Sequence, residues 1–261
     1  VVAASAPNLA YYCTNHSGMG GSVNTNSTLG SSNFDGSVQS IVKANPTAGM
    51  SITRYTGTGS ALTVGHGLGV APDVLIVKNR EEASSWRVFH HKNTSAPETE
   101  YLALDTNNAT FDRNDWNDTL PTSTVFSVGQ QGAVNNNNID YIGYIFSEVA
   151  GYSKFGSYTG NGNADGTFIF TGFRPAWVLI KNSGASGFDW VLQDATRSPF
   201  NVANEKLNPN TSAAAQTGND RIDMLSNGFK CRDSSAGINA DGSSYIYLAF
   251  AEAPFRNARA R

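Results

Sequence analysis

The sequence predicts an all-β fold: two tandem, homologous β-sandwich units, jelly-roll-like, after an extended N-terminal segment. Three observations predict it. Apolar runs are short, rich in β-branched and aromatic residues, and bounded by Gly, Pro, Asn and Asp. Capped stretches with a 3.6-residue period are missing, which argues against helices. One block of motifs also occurs twice along the chain, separated by about a hundred residues.

Residues 1–36 read as a low-complexity connector, because Ser17–Ser22 and Asn24–Asn33 are Gly, Ser and Asn without apolar periodicity. The first unit, residues 37–152, opens with a strand near Val38–Val42 and a turn at Asn45–Gly49. Asp73–Val77 follows Pro72 and reads as a strand buried on both faces. Arg87–Phe89, Tyr101–Leu104, Thr124–Val128 and Tyr141–Phe146 are further strands. The second unit, residues 153–261, repeats this plan, with Asn161-Gly162, Asp165-Gly166, Asn227-Gly228 and Asp241-Gly242 as turns.

The duplication rests on register. Tyr55-Thr56-Gly57-Thr58-Gly59 recurs as Tyr158-Thr159-Gly160-Asn161-Gly162, and Val74–Asn79 as Trp177–Asn182, at an offset of 103 residues. Trp86 meets Trp190, and Tyr141-Ile142 meets Tyr245-Ile246, at 104. The paired tryptophans predict equivalent buried positions.

Composition narrows the function. The 261 residues include only 15% charged side chains against 39% hydrophobic ones, and net charge is −3. An ordinary domain carries roughly 25% charged residues. Low charge with many small polar residues suits an extracellular or virion β protein. Without a Lys/Arg stripe, no nucleic acid is expected as partner. No 18-residue apolar stretch occurs, so no membrane insertion is expected. Cys13 and Cys231 lack CxxC partners and read as small buried thiols. Six Asn-x-Ser/Thr sequons, from Asn15 to Asn210, match what 27 Asn and 48 Ser/Thr give by chance.

Few residues offer chemistry. His66 reads as a turn residue in Gly65-His66-Gly67. His90 and His91 follow a strand, should point to opposite faces, and are expected in solvent. Neither fits a hydrolase triad or a zinc spacing. The acidic stretch Asp105–Asp118 fails the EF-hand pattern, since position six after Asp112 holds no Gly. It reads as a solvated loop, with calcium or a glycosidase carboxylate pair as alternatives. Trp116 lies within it and has no counterpart in the second unit. A tryptophan in a polar loop is a candidate contact for sugar or protein, and Asp112 and Asp115 beside it complete the candidate receptor-binding set. No catalytic residue, metal ligand or cofactor is assigned, and folding is expected to need no metal.

Three stretches resemble a known family: Gly57–Arg80 with Val64-Gly65-His66-Gly67-Leu68-Gly69-Val70-Ala71-Pro72 at its centre, Glu148–Gly162, and Thr171–Val178, with Ala249–Phe255 at the end. They look like phage virion proteins of unknown function, often encoded among tail-fibre genes of marine and cyanobacterial phages. The resemblance covers roughly residues 36 to 261 and brings no catalytic residues. It implies a non-enzymatic virion structural protein, a tail-fibre or receptor-binding component mediating host attachment. The expected partners are other virion proteins, itself as a homotrimer by analogy with phage fibres, and a host surface glycan or protein. A capsid decoration protein is the alternative, and a polysaccharide depolymerase a remoter one.

Overall fold

The structure is a computed structural model that describes residues 9–12, 20–23 and 30–252. Cys13, His16 and the C-terminal arginines lie outside them. The protein is all-β, as expected. Its strands are β1 (Leu9–Tyr12), β2 (Gly20–Val23), β3 (Ser31–Asn33), β4 (Ser40–Asn45), β5 (Met50–Thr56), β6 (Leu62–Gly65), β7 (Val74–Asn79), β8 (Arg87–His90), β9 (Glu100–Ala103), β10 (Phe111–Asp112) and β11 (Val125–Val128). One helical turn, α1 (Gly132–Asn135), precedes β12 (Asp140–Phe146), β13 (Ser153–Thr159), β14 (Phe168–Phe170), β15 (Pro175–Asn182), β16 (Val191–Asp194), β17 (Ala203–Lys206), β18 (Gln216–Leu225), β19 (Gly228–Cys231) and β20 (Ser244–Ala251).

Four layers stack. A two-stranded layer, β11-β6, covers an eight-stranded sheet of order β10-β9-β8-β7-β12-β5-β4-β3. The sheet β13-β20-β15-β16 lies against that sheet's other face, and β14-β19-β18-β17 covers it in turn. The period of two along each strand builds three cores. On β7, Leu75 and Val77 point into the first core while Val74 points into the middle one. On β20, Tyr245, Tyr247 and Ala249 enter the third core, and Ile246 and Leu248 the middle one. This explains the uninterrupted apolar runs of β7, β15 and β20: these strands have a core on each face, so they do not alternate with polar residues.

Strand order and register recur between the two halves. The pair Asp140↔Thr56 recurs as Ser244↔Thr159, Tyr141↔Asn79 as Tyr245↔Asn182, and Val74↔His90 as Trp177↔Asp194. Side-chain bonds recur with them. Asn79 Oδ1 accepts from the N–H groups of Glu81 and Glu82, and Asn182 Oδ1 from those of Gly184 and Ala185. The Tyr55 and Tyr158 hydroxyls donate to Val134 O and Ile238 O at the same 2.7 Å. Tyr55 stacks on Tyr141 at 5.2 Å and Tyr158 on Tyr245 at 5.0 Å. β5 pairs with β12 and β6 with β11 just as β13 pairs with β20 and β14 with β19, so the same nested pairing recurs in both halves. The middle strands differ. β10 is two residues long and stays with β9, whereas the ten-residue β18 reaches β19 and carries β17 into the outer layer.

Two expectations are corrected. Trp190 is fully buried but Trp86 is only half-buried. Trp190 is in the middle core, its indole N–H donating to Ala103 O at 2.9 Å, while Trp86 lies over Tyr144 at 6.2 Å, at the rim. The segment before residue 36 is not wholly a connector: β1 pairs with β2, and β3 joins the eight-stranded sheet beside β4.

Candidate functional site

Two residues of the acidic stretch, Asp115 and Trp116, are folded inward, while Asp105, Asp112 and Asp118 are exposed. Trp116 is 1% exposed, against the expectation of a surface contact. Its indole N–H donates to Glu100 O at 2.8 Å, and its ring meets Phe89 edge-on at 6.0 Å. Asp115 is fully buried as well, held by Arg87 Nε at 3.1 Å and Arg113 Nε at 2.6 Å. Both guanidinium groups lie over the Tyr101 ring, their Cζ atoms 4.1 and 4.6 Å from its centroid. The Asp115 contact strengthens Arg113's hold on its proton. A carboxylate between two cations tolerates burial, so the polar sequence around Trp116 conceals a core position. Of the three candidates only Asp112, on β10, is exposed. They form no common surface, and the set is withdrawn as a receptor contact.

The histidines are structural too. His90 is 1% exposed rather than solvated, and its Nε2 donates to Tyr247 O of the second half at 3.2 Å, while Nδ1 accepts from Lys92 N. Burial first, then the neighbouring His91, pushes its pKa down to about 3. His91 bridges Asp73 Oδ1 at 3.0 Å and Phe155 O at 2.8 Å. Contrary to expectation, both rings therefore reach the second half. His66 is a buried turn residue: its Nδ1 accepts from Leu68 N and its Nε2 contacts Thr122 O. Cys231 is a buried thiol whose pKa burial pushes up to about 12, which keeps it protonated and unreactive. Among the described residues no group of three or more His, Cys, Asp and Glu side chains is placed to hold a metal.

A polar cleft of about 200 Å³ lies in the second half. Gly187–Asp189, Val191, Lys206, Asn208, Asp220 and Ser235–Gly237 line its walls. Asp220 takes a left-handed backbone (φ 59°) and is nearly buried; Lys206 and Ser235 both donate to it. A Cβ on Gly237 would stand 2.5 Å from Asp220 Oδ1, so the wall closes only with glycine there. Asp189 accepts from Asn210 at 2.7 Å, and Asn208 donates to Trp190 O at 2.8 Å. Lys181, buried beneath, donates to Phe188 O and to Asn107 O, and burial pushes its pKa down to about 8. The cleft offers an ammonium, a hydroxyl, amides and carboxylate oxygens beside the half-buried Phe188 ring. Such a set hydrogen-bonds a hydroxyl-rich ligand. Within it the Ser235 hydroxyl donates to one Asp220 oxygen while Lys206 holds the other. Sequence reasoning passed over the cleft because its residues come from four separated segments.

No helix among the described residues is long and apolar enough to cross a membrane. Neither the curated proteins nor the solved structures contain a match to this chain. One family model matches residues 23–254, a domain of unknown function, DUF7483. That match takes in all of β3 to β20, and with them every layer described above. The chain belongs to the DUF7483 family.

Proposed function

We propose that the chain is a non-enzymatic structural component of a phage particle, a tail-fibre or receptor-binding module that attaches to a host surface glycan through the cleft of its second half. The phage assignment rests on the sequence resemblance. The observation that carries the non-catalytic reading is how the reactive side chains of residues 30–252 are used. His66, His90, His91, Asp115 and Cys231 hold backbone, ion pairs or core. A recognition module needs the reverse: a rigid scaffold presenting polar groups that are already oriented. Neutral ligands suit the low surface charge, and attachment by hydrogen bonds and ring contact is weakly dependent on salt.

The test is competition. Purified protein incubated with host cells should slow adsorption of the phage that encodes it. Lys206→Met and Phe188→Ala should each weaken that competition at least tenfold while remaining folded. Competition unchanged in both variants defeats the cleft as the binding site. Release of sugar from host polysaccharide by the wild-type chain defeats the non-enzymatic reading.

A further inference from the structure

The two halves differ along one side. In the first, the segment before β4 closes the free edge of β6. Thr63 N–H donates to Ser37 Oγ at 2.9 Å, Ser37 N–H to Thr63 Oγ1 at 2.8 Å, and Ser40 Oγ to Gly65 O at 2.9 Å. Val38 bridges Val64 in parallel, and the Asn33 side chain covers Gly65 so closely that a Cβ there would overlap it. In the second half the corresponding strand is β14. Ile169↔Phe229 stands where Val64↔Phe126 stands in the first half, which puts Phe168 and Phe170 where Thr63 and Gly65 are. Nothing among the described residues covers them. Phe168 is 44% and Phe170 64% exposed. The chain between β12 and β13 cannot reach round to cover them, because Ser147–Tyr152 is short and tied to Gly49, Asp73 and Ser153.

The free edge has a defined register. Thr167 O accepts from Cys231 N and Thr171 N donates to Asn227 O, so the odd residues of β14 bond to β19. The N–H and C=O of Phe168 and Phe170 therefore point outward. Unpaired backbone on an exposed aromatic edge is a template for another strand.

We propose that this edge pairs with the same edge of a second copy of the chain. A two-fold axis through Ile169 places Phe168 opposite Phe170 of the other copy, twice. Each such pair exchanges both backbone hydrogen bonds, and all four rings lie on one face as cross-strand aromatic pairs. An aromatic edge is matched best by an aromatic edge, whereas the Ser/Gly/Asn segment that covers β6 suits Thr63 and Gly65. Charge does not oppose the approach, since Lys230 pairs with Asp165 and Arg232 with Asp223 on the neighbouring surface. Two rings and a three-residue edge fall short of the ~800 Å² per partner of a standard interface, so the contact is weak alone and gains from crowding on a particle. The inference stands independently of the cleft.

Sedimentation equilibrium over a wide concentration range tests it. Wild type should pass from monomer to dimer, and Phe170→Lys should weaken association at least tenfold with an unchanged melting midpoint. A second measurement fixes the register in a Cys13→Ser background. Chains carrying Phe168→Cys mixed with chains carrying Phe170→Cys should form a disulfide-linked dimer on oxidation, and either variant alone should not. A monomer at every concentration, a trimer, a dimer indifferent to Phe170→Lys, or cross-linking of one variant with itself each overturns the proposal. A strand of another protein binding there while the chain stays monomeric overturns it too.

Discussion

Trp116 and His90 show how a residue's neighbours decide its role. Truncating Trp116 to Ala removes a fully buried ring and its hydrogen bond to Glu100 O. The expected loss is about 3–5 kcal/mol of unfolding free energy in urea melts. Any Trp116→Ala protein that still folds should compete for host cells as wild type does, because the ring faces the core. Removing Asp115 leaves two arginines facing each other, and Asp115→Ala should cost about 3–5 kcal/mol in the same melts. His90 supplies a pH dependence. It is neutral in the fold with a pKa of about 3, whereas an unfolded histidine titrates near about 6.5. Its contribution is therefore complete above about pH 6.5 and is lost as pH falls from there toward 3, the unfolded chain binding the proton more readily. The lowered pKa of His66 acts in the same direction. His90→Gln, whose amide reaches for Tyr247 O, should flatten stability against pH in that window. An unchanged slope would mean that His90 is not the group responsible. Residues of this kind were the least legible in the sequence. Trp116 and Asp115 sit among polar letters, and only the two arginines that fold back onto Tyr101 make their burial possible.

Elements were far more legible than residues. The runs Asp73–Val77 and Trp177–Ile180 read as strands buried on both faces, and they fall on β7 and β15 of the two central sheets. The turn at Asn45–Gly49 is a short 3-10 turn over Pro46–Ala48, capped by the Asn45 side chain and ended by Gly49 at φ 63°. The Lys-Asn pair after each run carried a signal that strand periodicity does not explain. Lys78 donates to Ser84 O and Lys181 to Phe188 O, while Asn79 and Asn182 cap the loop that follows. Asn182→Ala should strand the Gly184 and Ala185 amides, costing about 1–3 kcal/mol, and speed hydrogen exchange locally at both. What the sequence could not show is the face each strand shares with the other half. Trp86 and Trp190 look equivalent by offset, yet only Trp190 lies between the layers, because the stacking direction is a tertiary choice.

At the scale of the molecule, the middle core decides how the protein behaves. Val74, Val88, Leu102, Phe155, Leu179, Trp190, Ile246 and Leu248 join the two halves, and each buried large side chain contributes roughly 1.5–3 kcal/mol. Calorimetry should therefore give one cooperative transition for both halves. Residues 30–152 produced alone would expose the face holding Val74, Val88 and Leu102, and should aggregate or stay loosely packed. A fragment that folds and melts independently would argue against this joint core. Labelling the chain on intact virions with a gold-coupled antibody tests the proposal that it is an attachment component of a phage particle. Gold confined to tail fibres or tail tips is the predicted result. Gold spread over the capsid, or particles carrying none, would contradict it.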